Sequence, residues 1–87
     1  MMKSVDIQTA VYDWVKAAGF NAPYGVLTGQ NTNRNGRKFL SVTFGRARTL
    51  DATVEIYNSG FMLLRTSRDG STVYKSFETL MDRLRTL

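Results

Sequence analysis

The sequence predicts an α+β domain of two layers, with an antiparallel β-meander of four to five strands and an N-terminal and a C-terminal helix on one of its faces. Three observations carry this. Apolar residues recur at helical spacing at both ends of the chain. Between them, apolar and polar residues alternate with the period of a strand. Turn chemistry of the Asn-Gly and Asp-Gly kind divides the middle. The expected element order is α-β-β-β-β-β-α, and the 87 residues, 1–87, suit one domain.

SVDIQTAVYDWVKAAGF reads as the first helix. Ser4 is placed to cap its N-terminus, Asp6 lies in the first turn, and Lys16 lies near the last. Ile7, Val11, Trp14 or Val15, and Ala18 form one apolar face, which puts Trp14 in the expected core. Gly19 suits the position just past the helix, with Phe20 as the apolar contact beyond it. After the connection NAPYG, the segment YGVLTGQ is a short strand candidate. RKFLSVTFGRAR is the clearest strand, since Leu40, Val42 and Phe44 alternate with Ser41, Thr43 and Gly45.

Residues 49–51, TLD, read as a turn before ATVEIYN. Asn58 to Gly60 read as a hairpin turn before FMLLRTS, and the Asp-Gly pair of RDGS as another before STVYK. SFETLMDRLRTL closes the chain as a helix capped by Ser76, with Phe77, Leu80, Met81 and Leu84 on one face.

Composition narrows the chemistry. There is no Cys and no His, which removes disulfides, thiolate or imidazole metal sites, and the usual base of a hydrolytic triad. Carboxylate pairs offer little in exchange. Glu78 and Asp82 share a solvated helix face with Arg85, and Asp6 and Asp13 lie nearly two turns apart. The chain therefore reads as a non-enzymatic protein without metal or cofactor. No stretch reaches the ~20 apolar residues of a membrane span, and the first residues lack the apolar run of a signal peptide. The expectation is a cytoplasmic protein with no membrane partner.

The net charge is +5. Residues 34–75 hold Arg34, Arg37, Lys38, Arg46, Arg48, Arg65, Arg68 and Lys75 against Asp51, Glu55 and Asp69, and eight minus three is the whole surplus. A basic surplus confined to one region is the footprint of a polyanion binder.

QNTNRNGRKF, residues 30–39, sits at the front of that region. Asn31, Asn33, Asn35 and Gly36 follow the early spacing of a calcium loop, but the twelfth position is Val42 where a bidentate Glu is required, and three cations stand nearby. The spacing of Gly29 and Gly36, with a strand following, does not fit a phosphate-binding P-loop either. The stretch reads as an exposed hairpin tip that presents Arg34, Arg37 and Lys38.

With Leu40, Val42, Phe44, Val54 and Ile56 facing the helices, the opposite face of the sheet carries Phe39, Ser41, Thr43, Thr53, Glu55 and Tyr57. It is joined by either Phe61, Leu63 and Arg65 or Met62, Leu64 and Thr66. Open sheets that bind single strands combine aromatic rings for stacking with cations for phosphates. The expected function is nucleic-acid binding, DNA or RNA. Charge would come from Arg34, Arg37, Lys38, Arg46, Arg48, Arg65 and Arg68, and stacking from Phe39 and Tyr57.

Two alternatives use the same face: regulation or inhibition of an acidic protein partner, and a structural homodimer packed sheet to sheet. In its size and its lack of Cys, catalytic motif and targeting signal, the chain resembles the small accessory proteins that many bacteriophages encode. The resemblance implies binding to host or phage nucleic acid, or inhibition of a host protein, in the host cytoplasm.

Overall fold

The computed structural model describes residues 2–87. Helix α1 runs Ser4–Ala17, followed by strands β1 (Leu27–Thr32), β2 (Lys38–Arg46), β3 (Leu50–Tyr57), β4 (Met62–Thr66) and β5 (Gly70–Tyr74), and then helix α2 (Phe77–Leu84). The five strands form one antiparallel sheet in sequence order, so each strand pairs only with its neighbours in the chain. This is the α+β meander that the alternating pattern predicts.

Register decides what the two layers share. Val42, Val54 and Leu64 oppose one another across β2, β3 and β4, and so do Leu40, Ile56 and Met62 in the adjacent row. Because side chains alternate along a strand, these rows project to the same side. There they meet Ile7, Val11 and Val15 of α1 and Leu80, Met81 and Leu84 of α2, and all of them are buried except Leu40, which is half-buried. Full burial of one such aliphatic side chain contributes about 1.5–3 kcal/mol. The register also resolves the fourth strand. Met62 and Leu64 enter the core, which leaves Leu63 and Arg65 on the open face with Phe61 just before them.

The helix ends follow local chemistry. Gly19 adopts φ 87°, in the left-handed region, and the Phe20 N–H donates back to the Val15 carbonyl at 3.0 Å. Phe20 is thereby turned into the core, where it meets Phe44 edge-on at 5.4 Å between ring centroids. Ser76 caps α2 as expected, its hydroxyl accepting from the Thr79 N–H at 3.3 Å. The same hydroxyl donates to Glu78 at 3.0 Å. The Glu78 backbone N–H and this hydroxyl hold the Glu78 carboxyl below its usual range.

Four sequence expectations shift. Ser4 is the first helical residue rather than the cap. Lys3 takes the cap position, and its N–H reaches Asp6 at 3.4 Å. The Ser4 hydroxyl instead donates to Asn58 at 2.7 Å, which ties α1 to the turn between β3 and β4. The turn expected at 49–51 falls at 47–49, because Arg48 takes φ 67° and Leu50 is already in β3. β1 begins at Leu27, later than YGVLTGQ suggests. Trp14 is only half-buried and packs at the rim beside Phe20, so Phe20 is the buried aromatic instead.

Among the described residues, no helix is long and apolar enough to cross a membrane.

Candidate nucleic-acid interface

The side of the sheet away from the helices is built by the same alternation that builds the core. Asn31 opposes Phe39, and Phe39 opposes Tyr57. The chain then turns at residues 58–60, and the Tyr57 N–H donates to the Phe61 carbonyl at 3.1 Å, which brings Phe61 alongside. Three rings therefore lie in a row. Tyr57 stacks on Phe61 at 4.5 Å with 16° between planes, and Phe39 is tilted against Tyr57 at 5.3 Å. Aromatic pairs of this kind contribute about 0.5–1.5 kcal/mol beyond their buried area. Tyr57 lies between the other two rings and is only 6% exposed, so it offers its hydroxyl more than a free ring face. Phe39 and Phe61 are half-buried at the ends of the row.

Two residues back along β3, on the same face, is Glu55. It is the one polar or charged side chain buried among the described residues, 7% exposed. Its Oε1 accepts the Tyr57 hydroxyl at 2.7 Å, and its Oε2 accepts Arg65 Nε at 2.8 Å. Arg65 reaches it from β4, and Arg65 Nη1 is steadied by the Ser71 hydroxyl on β5 at 3.2 Å. A buried carboxylate is costly unless donors meet it, and here both oxygens are met. Burial and the bond to Glu55 push the Tyr57 hydroxyl above its ordinary pKa, while the hydrogen bond from Arg65 to Glu55 raises that of the guanidinium.

The hairpin tip between β1 and β2 closes over this cluster. Asn33 Oδ1 accepts the backbone N–H groups of Asn35 and Arg37, each at 2.9 Å, an Asx turn that organises the tip. With its oxygen committed to two backbone donors, the Asn33 amide nitrogen faces inward and reaches the Tyr57 hydroxyl at 3.5 Å. The result is a shallow open pocket of about 400 Å³. Thr32, Asn33, Arg34 and Asn35 form one wall, and Phe39, Glu55, Tyr57 and Arg65 the rest.

Four residues singled out from the sequence therefore meet at one place: Arg34, Phe39, Tyr57 and Arg65. Arg37 and Lys38 are exposed on the same hairpin, and Lys38 also lines a smaller depression with Ser4, Gln30 and Asn58. Among the described residues, Arg34, Arg37 and Lys38 have no acidic partner within salt-bridge distance.

Arg46, Arg48 and Arg68 lie elsewhere. β2 separates them from the tip by roughly 26 Å, at ~3.3 Å per residue. The Arg46 guanidinium packs 4.1 Å from the Phe20 ring centroid and donates to the Leu87 carbonyl, so it belongs to the helix side. Arg68 Nε donates to the Thr49 carbonyl at 3.1 Å and joins the two turns at that end.

Asn33, Asn35 and the central role of Glu55 were not legible as site features in the sequence, and Phe61 stood there only in one of two alternative registers. The available signal was Glu55 two residues before Tyr57 in a strand, which places both on one face. The closure by Asn33 depends on how the tip folds back. Comparison with family models, with curated proteins and with solved structures finds no match for this chain.

Proposed function

We propose that the protein binds single-stranded nucleic acid through the open face of the sheet, led by the β1–β2 tip. The observation that carries this reading is the position of Arg34, which has no acidic partner among the described residues, on the wall of a pocket edged by the half-buried Phe39 ring, with Arg37 and Lys38 exposed on the same hairpin. Cations without acidic partners keep their full charge available for phosphates, and binding to phosphates releases condensed counterions. A ring at the pocket edge gives a base something to stack on, worth about 1–3 kcal/mol per base. Of the cations at the far end of β2, Arg48 and Arg68 would meet the backbone of a longer strand on leaving the pocket, while Arg46, on the helix side, would not.

The test is fluorescence anisotropy with labelled single- and double-stranded DNA and RNA at two salt concentrations. The expected result is micromolar or tighter binding to single strands that weakens steeply with salt. No binding to any of the four at low salt would overturn the reading.

A second reading, an acidic protein partner on the same face, draws on Val73. It is 55% exposed and opposes the half-buried Leu63, giving an apolar flank next to the Arg65 charge. Sedimentation equilibrium on the isolated chain would also report whether a second copy covers that flank.

A further inference from the structure

We infer that the pocket beneath the β1–β2 tip takes a guanine base. This deepens the nucleic-acid reading and rests on it.

The starting point is a misfit. A surface that only gathers phosphates gains nothing from a carboxylate at its centre, yet Glu55 is central, buried, and lines the pocket. Each of its oxygens accepts one protein donor, Tyr57 on one side and Arg65 on the other. A carboxylate has about four acceptor positions, so each oxygen can take one donor more.

Among the common bases, guanine alone carries two adjacent donors on its Watson–Crick edge, the ring N1–H and the exocyclic amine. Both can meet the two oxygens of one carboxylate. Adenine and cytosine place a ring acceptor beside their amine, which would face the carboxylate with a lone pair. Uracil and thymine flank a single N–H with two carbonyls. The guanine carbonyl that follows its two donors requires a donor in turn, and both the Asn33 amide nitrogen and the outer nitrogens of Arg65 border the pocket. The amide of Asn33 is held in that sense by the two backbone N–H groups on its oxygen.

Phe39 borders the pocket with a ring against which a base can pack, and Arg34 stands on the wall where the attached phosphate would emerge. The pocket volume of about 400 Å³ lies within the ~300–1,000 Å³ typical of small-molecule sites.

The experiment compares short labelled oligothymidylates by anisotropy: one unmodified, one with a single central deoxyguanosine, and one with deoxyinosine there, which lacks the exocyclic amine. The native protein is expected to bind the deoxyguanosine strand at least about fivefold more tightly than plain oligothymidylate, the lower end of what a bidentate base contact gives. Deoxyinosine should lose most of that gain. Glu55→Gln, checked for folding by circular dichroism, should bring the guanosine and thymidine strands to nearly equal affinity. The inosine series reads the same contact on the unaltered protein should that variant not fold.

In parallel, guanosine and adenosine monophosphates are titrated into the ¹⁵N-labelled protein by NMR. Equal affinity for the guanosine and thymidine strands would overturn the guanine site and leave strand binding intact. No strand binding, with shifts at Glu55 and Tyr57 on adding the guanosine monophosphate only, would overturn strand binding and leave the pocket as a nucleotide site. No response in either experiment would overturn both.

Discussion

Tyr57 and Glu55, two residues apart on β3, are joined by a 2.7 Å hydrogen bond from the phenol to the carboxylate on the open face of the sheet. The bond places a negative charge and a row of aromatic rings within one patch, and it makes the carboxylate depend on a second donor, Arg65, from the next strand. Stability and titration behaviour at this face pass through the same cluster, and so would ligand choice on the proposed reading.

Arg65→Ala tests how much the carboxylate depends on that donor. Glu55 is nearly enclosed, while the Arg65 side chain is 57% exposed, so the cost falls on the residue left behind. With only the Tyr57 hydroxyl remaining, a loss of about 1–3 kcal/mol is expected in urea denaturation. Arg65→Lys should recover part of it.

The Tyr57 hydroxyl should ionise later than a free tyrosine. Burial, and then the bond to Glu55, favour its neutral form. Its folded pKa lies above the unfolded value of 10.0, so the stabilisation is complete below that pH and is lost as pH rises through the folded value. Ultraviolet difference titration should show a late phenolate, accompanied by falling stability. Tyr57→Phe should remove that late step.

Replacing Arg34, Arg37 and Lys38 together with Ala separates charge from structure. All three are exposed and none has an acidic partner among the described residues, so stability should stay within about 0.5 kcal/mol. The salt dependence of single-strand binding should fall by about 2 in log–log slope, since three phosphate contacts contribute ~0.7 each. An unchanged slope would mean that phosphates are met elsewhere.

Gly45→Ala probes the end of β2. A Cβ there would lie 2.2 Å from the Leu50 carbonyl oxygen, a backbone atom that cannot swing aside. A loss of about 1–3 kcal/mol is expected. At Gly29 the nearest atom is the Ser41 hydroxyl at 3.1 Å, which can rotate. Gly29→Ala should remain within about 1 kcal/mol of the parent in the same denaturation experiment.

The fold was legible because its signals are local. Leu40, Val42 and Phe44 at period two and Leu80, Met81 and Leu84 at helical spacing each identify a buried face without reference to distant residues. The misplaced turn shows the limit. Ala47, Arg48 and Thr49 include no Gly, Asn or Asp, yet Arg48 takes a left-handed conformation that its sequence neighbourhood does not announce. Ser4 is a good capping residue whose hydroxyl was claimed by Asn58, 54 positions away.

The site divides in the same way. That Phe39, Glu55 and Tyr57 share a face follows from alternation. The stacking of Tyr57 on Phe61, which covers the ring expected to stack on bases, and the folding of Asn33 over the cluster both depend on turn geometry.

The strand order has a kinetic consequence. Every strand pairing is closed by one of the loops Asn33–Arg37, Ala47–Thr49, Asn58–Phe61 and Ser67–Asp69, none longer than five residues. Loop-closure entropy is therefore small at each step, and the sheet can zip outward from any one hairpin. A sheet assembled this way should form faster than Greek-key or crossover sheets of its size. Docking of α1 against β2, β3 and α2 is then the step that brings the most distant segments together. In a pulse-labelled refolding experiment, amides of the β2–β3 hairpin should gain protection before those of α1.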